Sequence, residues 1–249
     1  MSEFIKVEKR DRVVAIILDR PERRNALSVE LLSELHEALS SRISTNATAV
    51  VLSGAGDCFC AGGDFKTLTG TIEDIAVDDA IETVTGTIRD LPIPVIAAIN
   101  GPCMGGAFDL AMSCDVRIAS EDAVFQVPAT RLGFLYNPKS IARLHSLLGR
   151  DAVFRIMIMG EHLDANAALK GGVVSKVVPG EGCFEAAMTM AESTVTNVPA
   201  AVAATKGFLN ALDGKDLDPA HWQKIREDLL ASPERLAAVM KAKTRHDKS

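Results

Sequence analysis

Residues 101–109 read Gly101-Pro102-Cys103-Met104-Gly105-Gly106-Ala107-Phe108-Asp109. The run from Ile93 to Asn100 before it has the continuous apolar pattern of a buried strand, and Leu110 to Ser113 after it is compatible with helix. Gly105 and Gly106 therefore sit at a strand-to-helix turn. The first backbone N–H groups of a helix have no acceptor within it, and the helix dipole favours negative charge there. A glycine pair followed by a lone acid thus presents bare N–H donors beside a carboxylate, an arrangement suited to stabilising an oxyanion. The same glycines also suit a tight turn whose backbone angles or close packing exclude a side chain.

A second glycine turn, Cys60-Ala61-Gly62-Gly63-Asp64, follows the apolar run Ala49 to Leu52 and precedes Phe65. Two N–H groups from separate turns can grip one oxygen. Working outward, Val13 to Leu18 reads as a strand, and Ser28 reads as the N-cap of a helix with apolar positions Leu31, Leu32, Leu35 and Leu39. A helix around Ile72 to Arg89, a strand around Val95 to Ala98, the helix after Gly106 and a strand at Val116 to Ala119 continue the alternation. Alternating strands and helices predict an α/β domain with crossover connections and a largely parallel sheet. From Pro138 onward the pattern is mostly helical, with an apolar interruption at Val173 to Val178 and further helical spans at Phe184 to Val195, Pro199 to Leu212 and Trp222 to Lys241.

The 249 residues suffice for one large α/β core, or for a main domain with a small helical appendage, which we favour. Hydrophobic residues at 47% and charged residues at 24% exclude a mainly disordered chain. A net charge of −6 provides no field suited to nucleic acid, although a local basic patch can still receive a polyanionic cofactor. Cys58, Cys60, Cys103, Cys114 and Cys183 make an odd count without redox or zinc spacing, so buried free thiols in a reducing compartment are expected. No apolar segment reaches the roughly 18–20 residues that span a membrane, and a cytoplasmic location is expected. His36, His145, His162, His221 and His246 form neither an H-E-x-x-H array nor a Ser-His-Asp order, so no metal is expected. Gly101 to Gly106 lacks the G-x-G-x-x-G spacing of a nicotinamide site.

Five segments, taken in order, carry a family resemblance: Arg20-Pro21-Glu22-Arg23-Arg24-Asn25-Ala26-Leu27, Phe59 through Asp64, Asn100-Gly101 through Asp109, Cys114-Asp115, and Phe125 through Leu132-Gly133. On these the chain resembles the enoyl-CoA hydratase/isomerase, or crotonase, family from its first strand to at least Val178. The resemblance implies a crotonase-like repeated β-β-α spiral core over residues 1–190. It also implies a helical lid and oligomerisation region over residues 191–249, with homotrimers often paired into homohexamers. The implied ligand is an acyl-CoA thioester, with no cofactor beyond the coenzyme A that the substrate carries.

The resemblance assigns the oxyanion-hole N–H groups to Ala61 and Gly106, and substrate or CoA contacts to Arg23, Arg24, Gly62, Gly63 and Asp64. For Arg23 and Arg24 an exposed loop pair is the other reading, and for Asp64 a turn-holding role. Asp109 matches the family's first glutamate and is the expected proton-transfer group. The second acid, which follows proline in P-E-x-x-L-G, is replaced in Pro128-Ala129-Thr130-Arg131-Leu132-Gly133. Alanine cannot transfer a proton, which weighs against ordinary hydration by two carboxylates. Tyr136-Asn137 and the Gly-Gly-Ala-Phe-Asp stretch are similar to methylmalonyl-CoA decarboxylases, although Gly63 stands where those carry histidine. The aspartate at 109 is similar to dienoyl-CoA isomerases. Tyr136, the only tyrosine, is assigned to orienting a carboxylate or thioester, with packing at a pocket rim as the other reading. The expected activity is isomerisation or atypical hydration. Acyl-CoA decarboxylation and a noncatalytic acyl-CoA-binding subunit are the alternatives.

Overall fold

The computed structural model describes residues 3–41, 46–214 and 217–246. The chain divides into two compact units, Met1–Val195 and Thr196–Ser249. The first holds a six-stranded sheet. β1 (Ile5–Arg10) and β2 (Val13–Leu18) form an antiparallel hairpin, and β3 (Ala49–Gly54), β4 (Val95–Ile99), β6 (Val116–Ser120) and β9 (Lys176–Val178) continue it in parallel, in the order β1-β2-β3-β4-β6-β9. A second sheet joins β5 (Cys103–Met104), β7 (Val124–Gln126) and β8 (Leu163–Asp164).

Every residue of β3 and of β4 is buried, as a parallel sheet covered on both faces requires. Alternate residues serve the two layers. Val50 and Leu52 face one core with Leu31, Leu35, Ile88 and Phe108, drawn from α1 (Val29–Ser41), α2 (Ile75–Asp90) and α3 (Gly106–Ser113). Val51 and Ile96 face the other, with Ala187 and Met188 of α6 (Cys183–Glu192). This is the α/β architecture the alternation predicted. All five cysteines are buried free thiols.

Ser28 Oγ accepts the Leu31 N–H at 3.3 Å and so starts α1. The span expected from Ile72 begins with a tight turn at Ile72–Asp74 capped by Thr71, and the α-helix proper starts at Ile75. α4 (Pro138–Met157) is interrupted at Gly149, with φ 78° and ψ 166°, and α5 (Ala165–Lys170) follows β8.

The second unit contains α7 (Pro199–Gly214), α8 (Pro219–Leu230) and α9 (Pro233–His246). The expected single span from Trp222 to Lys241 is therefore two helices. Proline at 233 supplies no N–H and disfavours helical backbone at the residue before it. The three helices surround an apolar cavity of about 900 Å³ whose lining includes Phe208, Trp222, Leu229 and Val239. Leu209, Leu236 and Met240 are exposed. Residues 247–249, the end of the expected C-terminal region, lie outside the described residues. Among the described residues no helix is long and apolar enough to cross a membrane.

Candidate active site

The two glycine turns lie against each other. Cys60 pairs in parallel with Cys103, its N–H donating to Pro102 O at 3.1 Å and its carbonyl accepting the Met104 N–H at 3.0 Å. Gly62 adopts φ 85°, and a Cβ there would lie 2.6 Å from Met104 O and 3.5 Å from Gly105 Cα, so only glycine fits. Gly106 opens α3, where a Cβ would meet Ile81 Cδ1 at 2.6 Å and Leu27 Cδ1 at 3.1 Å. Side chains of α2 and of the approach to α1 thus close directly over the turn.

The open donors are not the expected pair. The Ala61 N–H donates to Arg24 O at 2.9 Å, which corrects its assignment as an open donor. Around Gly63, Leu27 N donates to Gly62 O at 2.8 Å and Asp64 N donates to Leu27 O at 3.0 Å. A parallel pairing of this kind uses the groups on either side of the central residue and turns its own N–H the other way. Among the described residues no acceptor is seated on the Gly63 N–H. The same holds for Gly106, the first residue of α3. Residue types alone do not reveal which N–H of a glycine turn a distant backbone takes up.

Asp64 ties the turn to the Arg20–Arg24 loop. Its carboxylate meets Arg20 Nη1 at 3.0 Å and Arg23 Nη2 at 3.6 Å, and accepts the Lys66 N–H at 3.0 Å. Burial pushes this carboxyl up, but the Lys66 N–H, Arg23 and Arg20 together outweigh burial and hold it below the ordinary carboxylate value. Asp64 is a structural anchor, and Arg23 is occupied with it. Arg24 is exposed and left-handed, at φ 51°.

Asp109 is fully buried. Arg143 Nη2 donates to its Oδ1 at 2.7 Å, and Ser140 Oγ donates to its Oδ2. Arg143 also reaches Thr85 Oγ1 at 3.4 Å and Glu82 at 3.7 Å, both on α2. The acid read as an open base is thus the centre of a closed ion pair that joins α3, α4 and α2. The one sequence signal for Arg143 is its place three residues after Ser140, and hence on the same helix face.

Tyr136 is buried, its hydroxyl donates to Gly105 O at 3.3 Å, and its ring stacks on Phe134 with centroids 6.5 Å apart. Burial first, then the charges of Asp109 and Asp78, push the phenol well above its ordinary value, so it stays a neutral donor. Its hydroxyl holds the glycine turn, whereas orientation of a substrate group was expected. Asn137 Oδ1 accepts the Lys139 N–H at 3.0 Å and caps α4, while Asn137 Nδ2 donates to Asp78 Oδ2 at 3.1 Å. Ala129 is buried. Among the described residues, no group of three or more His, Cys, Asp or Glu side chains is placed to hold a metal ion.

The family model for enoyl-CoA hydratase/isomerase matches residues 8–239. A Mycobacterium bovis protein named a probable enoyl-CoA hydratase is 35% identical over 220 residues, covering 88% of this chain and 87% of its own. A short-chain-enoyl-CoA hydratase of Clostridium acetobutylicum is 33% identical over 86% of this chain and 84% of its own. The crystal structure of enoyl-CoA hydratase from Bacillus anthracis superposes with a TM-score of 0.89 at 32% identity, covering 98% of this chain and 97% of that one. The chain belongs to the enoyl-CoA hydratase/isomerase family, with its crotonase fold, and is an enzyme of that family.

Proposed function

We propose that the chain binds an acyl-CoA thioester with its carbonyl oxygen between the N–H groups of Gly63 and Gly106, and isomerises an enoyl group through the enolate so stabilised. The observation that carries this reading is the pair of open donors on two turns held together by the Cys60–Cys103 pairing. Preorganised donors of this kind are each worth about 3 kcal/mol in a transition state that develops negative charge on oxygen. Isomerisation is favoured over hydration because fixing a water for attack takes a second carboxylate, and a buried alanine stands at 129. Exposed Arg24 is proposed to meet the CoA phosphates, with Arg23 held beside it by Asp64. No further cofactor is invoked.

Calorimetry with butyryl-CoA, octanoyl-CoA and benzoyl-CoA tests the ligand. Absence of binding by all three overturns the reading. Conversion of but-3-enoyl-CoA to its conjugated isomer is expected to outpace hydration of crotonyl-CoA, and the reverse order makes the chain a hydratase. The apolar surface of Thr196–Ser249, with Leu209, Leu236 and Met240 exposed, is proposed to be buried in a homotrimer or homohexamer. Sedimentation as a monomer at micromolar concentration overturns that part.

A further inference from the structure

On α2, Asp78, Ile81, Glu82 and Thr85 occupy i, i+3, i+4 and i+7 and so share one side of the helix. Ile81 closes over Gly106, while Glu82 and Thr85 meet Arg143. One turn before Ile81, Asp78 accepts the Asn137 Nδ2 hydrogen bond through Oδ2, and no donor among the described residues is seated on its Oδ1. The side chain is half-buried. It therefore has what Asp109 lacks, an oxygen open to accept a proton, on the helix turn before the Ile81 that closes over Gly106.

The acidic groups around Asp78 act in one direction. Burial has the largest effect and raises its proton affinity; Asn137 opposes, and Asp79 and Glu82 on its own helix and Asp109 from α3 add to the rise. The Tyr136 phenol beside it is neutral. Lys139 and Arg143 lie against Glu82, at 3.8 and 3.7 Å. The carboxyl is consequently raised above its ordinary value, the direction that favours a proton carrier.

We propose that Asp78 is the proton-carrying group of this enzyme, standing in for the acid absent at 129 and for Asp109, whose oxygens are both engaged. This rests on the enolate reading above. Asp78 Oδ1 takes the α-proton of the thioester. The C–H electron pair becomes the Cα–C double bond, and the carbonyl π pair moves onto the oxygen held by Gly63 and Gly106. Return of the proton at the γ-carbon of a β,γ-enoyl thioester completes isomerisation, and return at the α-carbon restores the substrate. No oxidant, reductant or water is consumed.

The test uses butyryl-CoA as the probe in deuterated water, with α-proton exchange followed by NMR and binding by calorimetry. Asp78→Asn and Asp78→Ala are expected to bind within threefold of wild type and to lose exchange by about 100-fold or more. Asp78→Glu is expected to restore part of it. Asn137→Ser keeps an N-cap for α4 but removes the donor on Asp78, and is expected to move the midpoint of the exchange-versus-pH profile upward. Wild-type exchange persisting in Asp78→Asn, or an unmoved profile in Asn137→Ser, overturns the proposal. So does a wild type that binds butyryl-CoA without exchanging it, which leaves the thioester-binding reading intact; a wild type that binds no acyl-CoA overturns both.

Discussion

Asp109 lies on α3, the floor that Gly106 opens, and Asp78 lies on α2, the edge whose Ile81 closes over Gly106, and the two aspartates differ in burial and in hydrogen-bond partners. Asp109 on the floor is closed off from water, with a guanidinium on one oxygen and a hydroxyl on the other. Asp78 on the edge is half-buried, with an amide on one oxygen and nothing on the second among the described residues. A carboxylate whose acceptor sites are filled holds helices together. One that is half-filled and partly desolvated remains available for proton transfer. Residue type by itself thus does not settle whether a carboxylate is engaged or open.

The comparison breaks most readily at Arg143. Arg143→Met leaves the Asp109 charge buried without its partner, and removing one member of such a pair costs roughly 3–5 kcal/mol. Urea denaturation of this variant with an unchanged midpoint would mean that the floor is not an ion-paired anchor. Gly62→Ala follows, at about 1–3 kcal/mol, because alanine is strained at φ 85° and its Cβ would press on Met104 O. Thermal unfolding checks it.

Tyr136→Phe removes the hydroxyl on Gly105 O and is expected to lower stability by about 0.5–1.5 kcal/mol. Thioester binding measured on the same variant sharpens the contrast, because a positioning phenol changes affinity modestly, whereas a group that contacts substrate changes substrate preference. The smallest effects are in the pH dependence. Asp64 has a folded-state value below its unfolded one, so its contribution is present above the ordinary carboxylate range and is lost as the pH falls through the depressed value. Asp78 has the opposite shift, and ionising it costs stability as the pH rises from its ordinary to its raised value. Asp64→Asn is therefore expected to flatten the acid limb of the stability profile, while Asp78→Asn removes a loss on the rising side. Identical profiles for the two variants would erase the distinction between anchored and open acids.

The features legible in the residue order are local or periodic. The apolar runs Ile93 to Asn100 and Ala49 to Leu52 predict the buried strands seen at Val95–Ile99 and Ala49–Gly54, Ser28 predicts the start of α1, and the glycines at 62, 105 and 106 mark tight turns. These depend on side-chain periodicity, on a cap three residues from its donor and on backbone angles, all carried by neighbouring residues. Proline at 233 is also a break legible in the sequence, and it separates the two helices of the span expected from Trp222 to Lys241. Long-range packing selects which N–H groups stay open. Arg24 takes the Ala61 N–H and Leu27 brackets Gly63 from segments some 37 residues away in the chain. It also decided which acid is filled, since Arg143 and Ser140 reach Asp109 across 34 and 31 residues, and Asn137 reaches Asp78 across 59. Hydrogen-bond occupancy is a property of the whole fold: a donor or a carboxylate is free or engaged according to which chain segment packs against it, and residue type sets only its capacity.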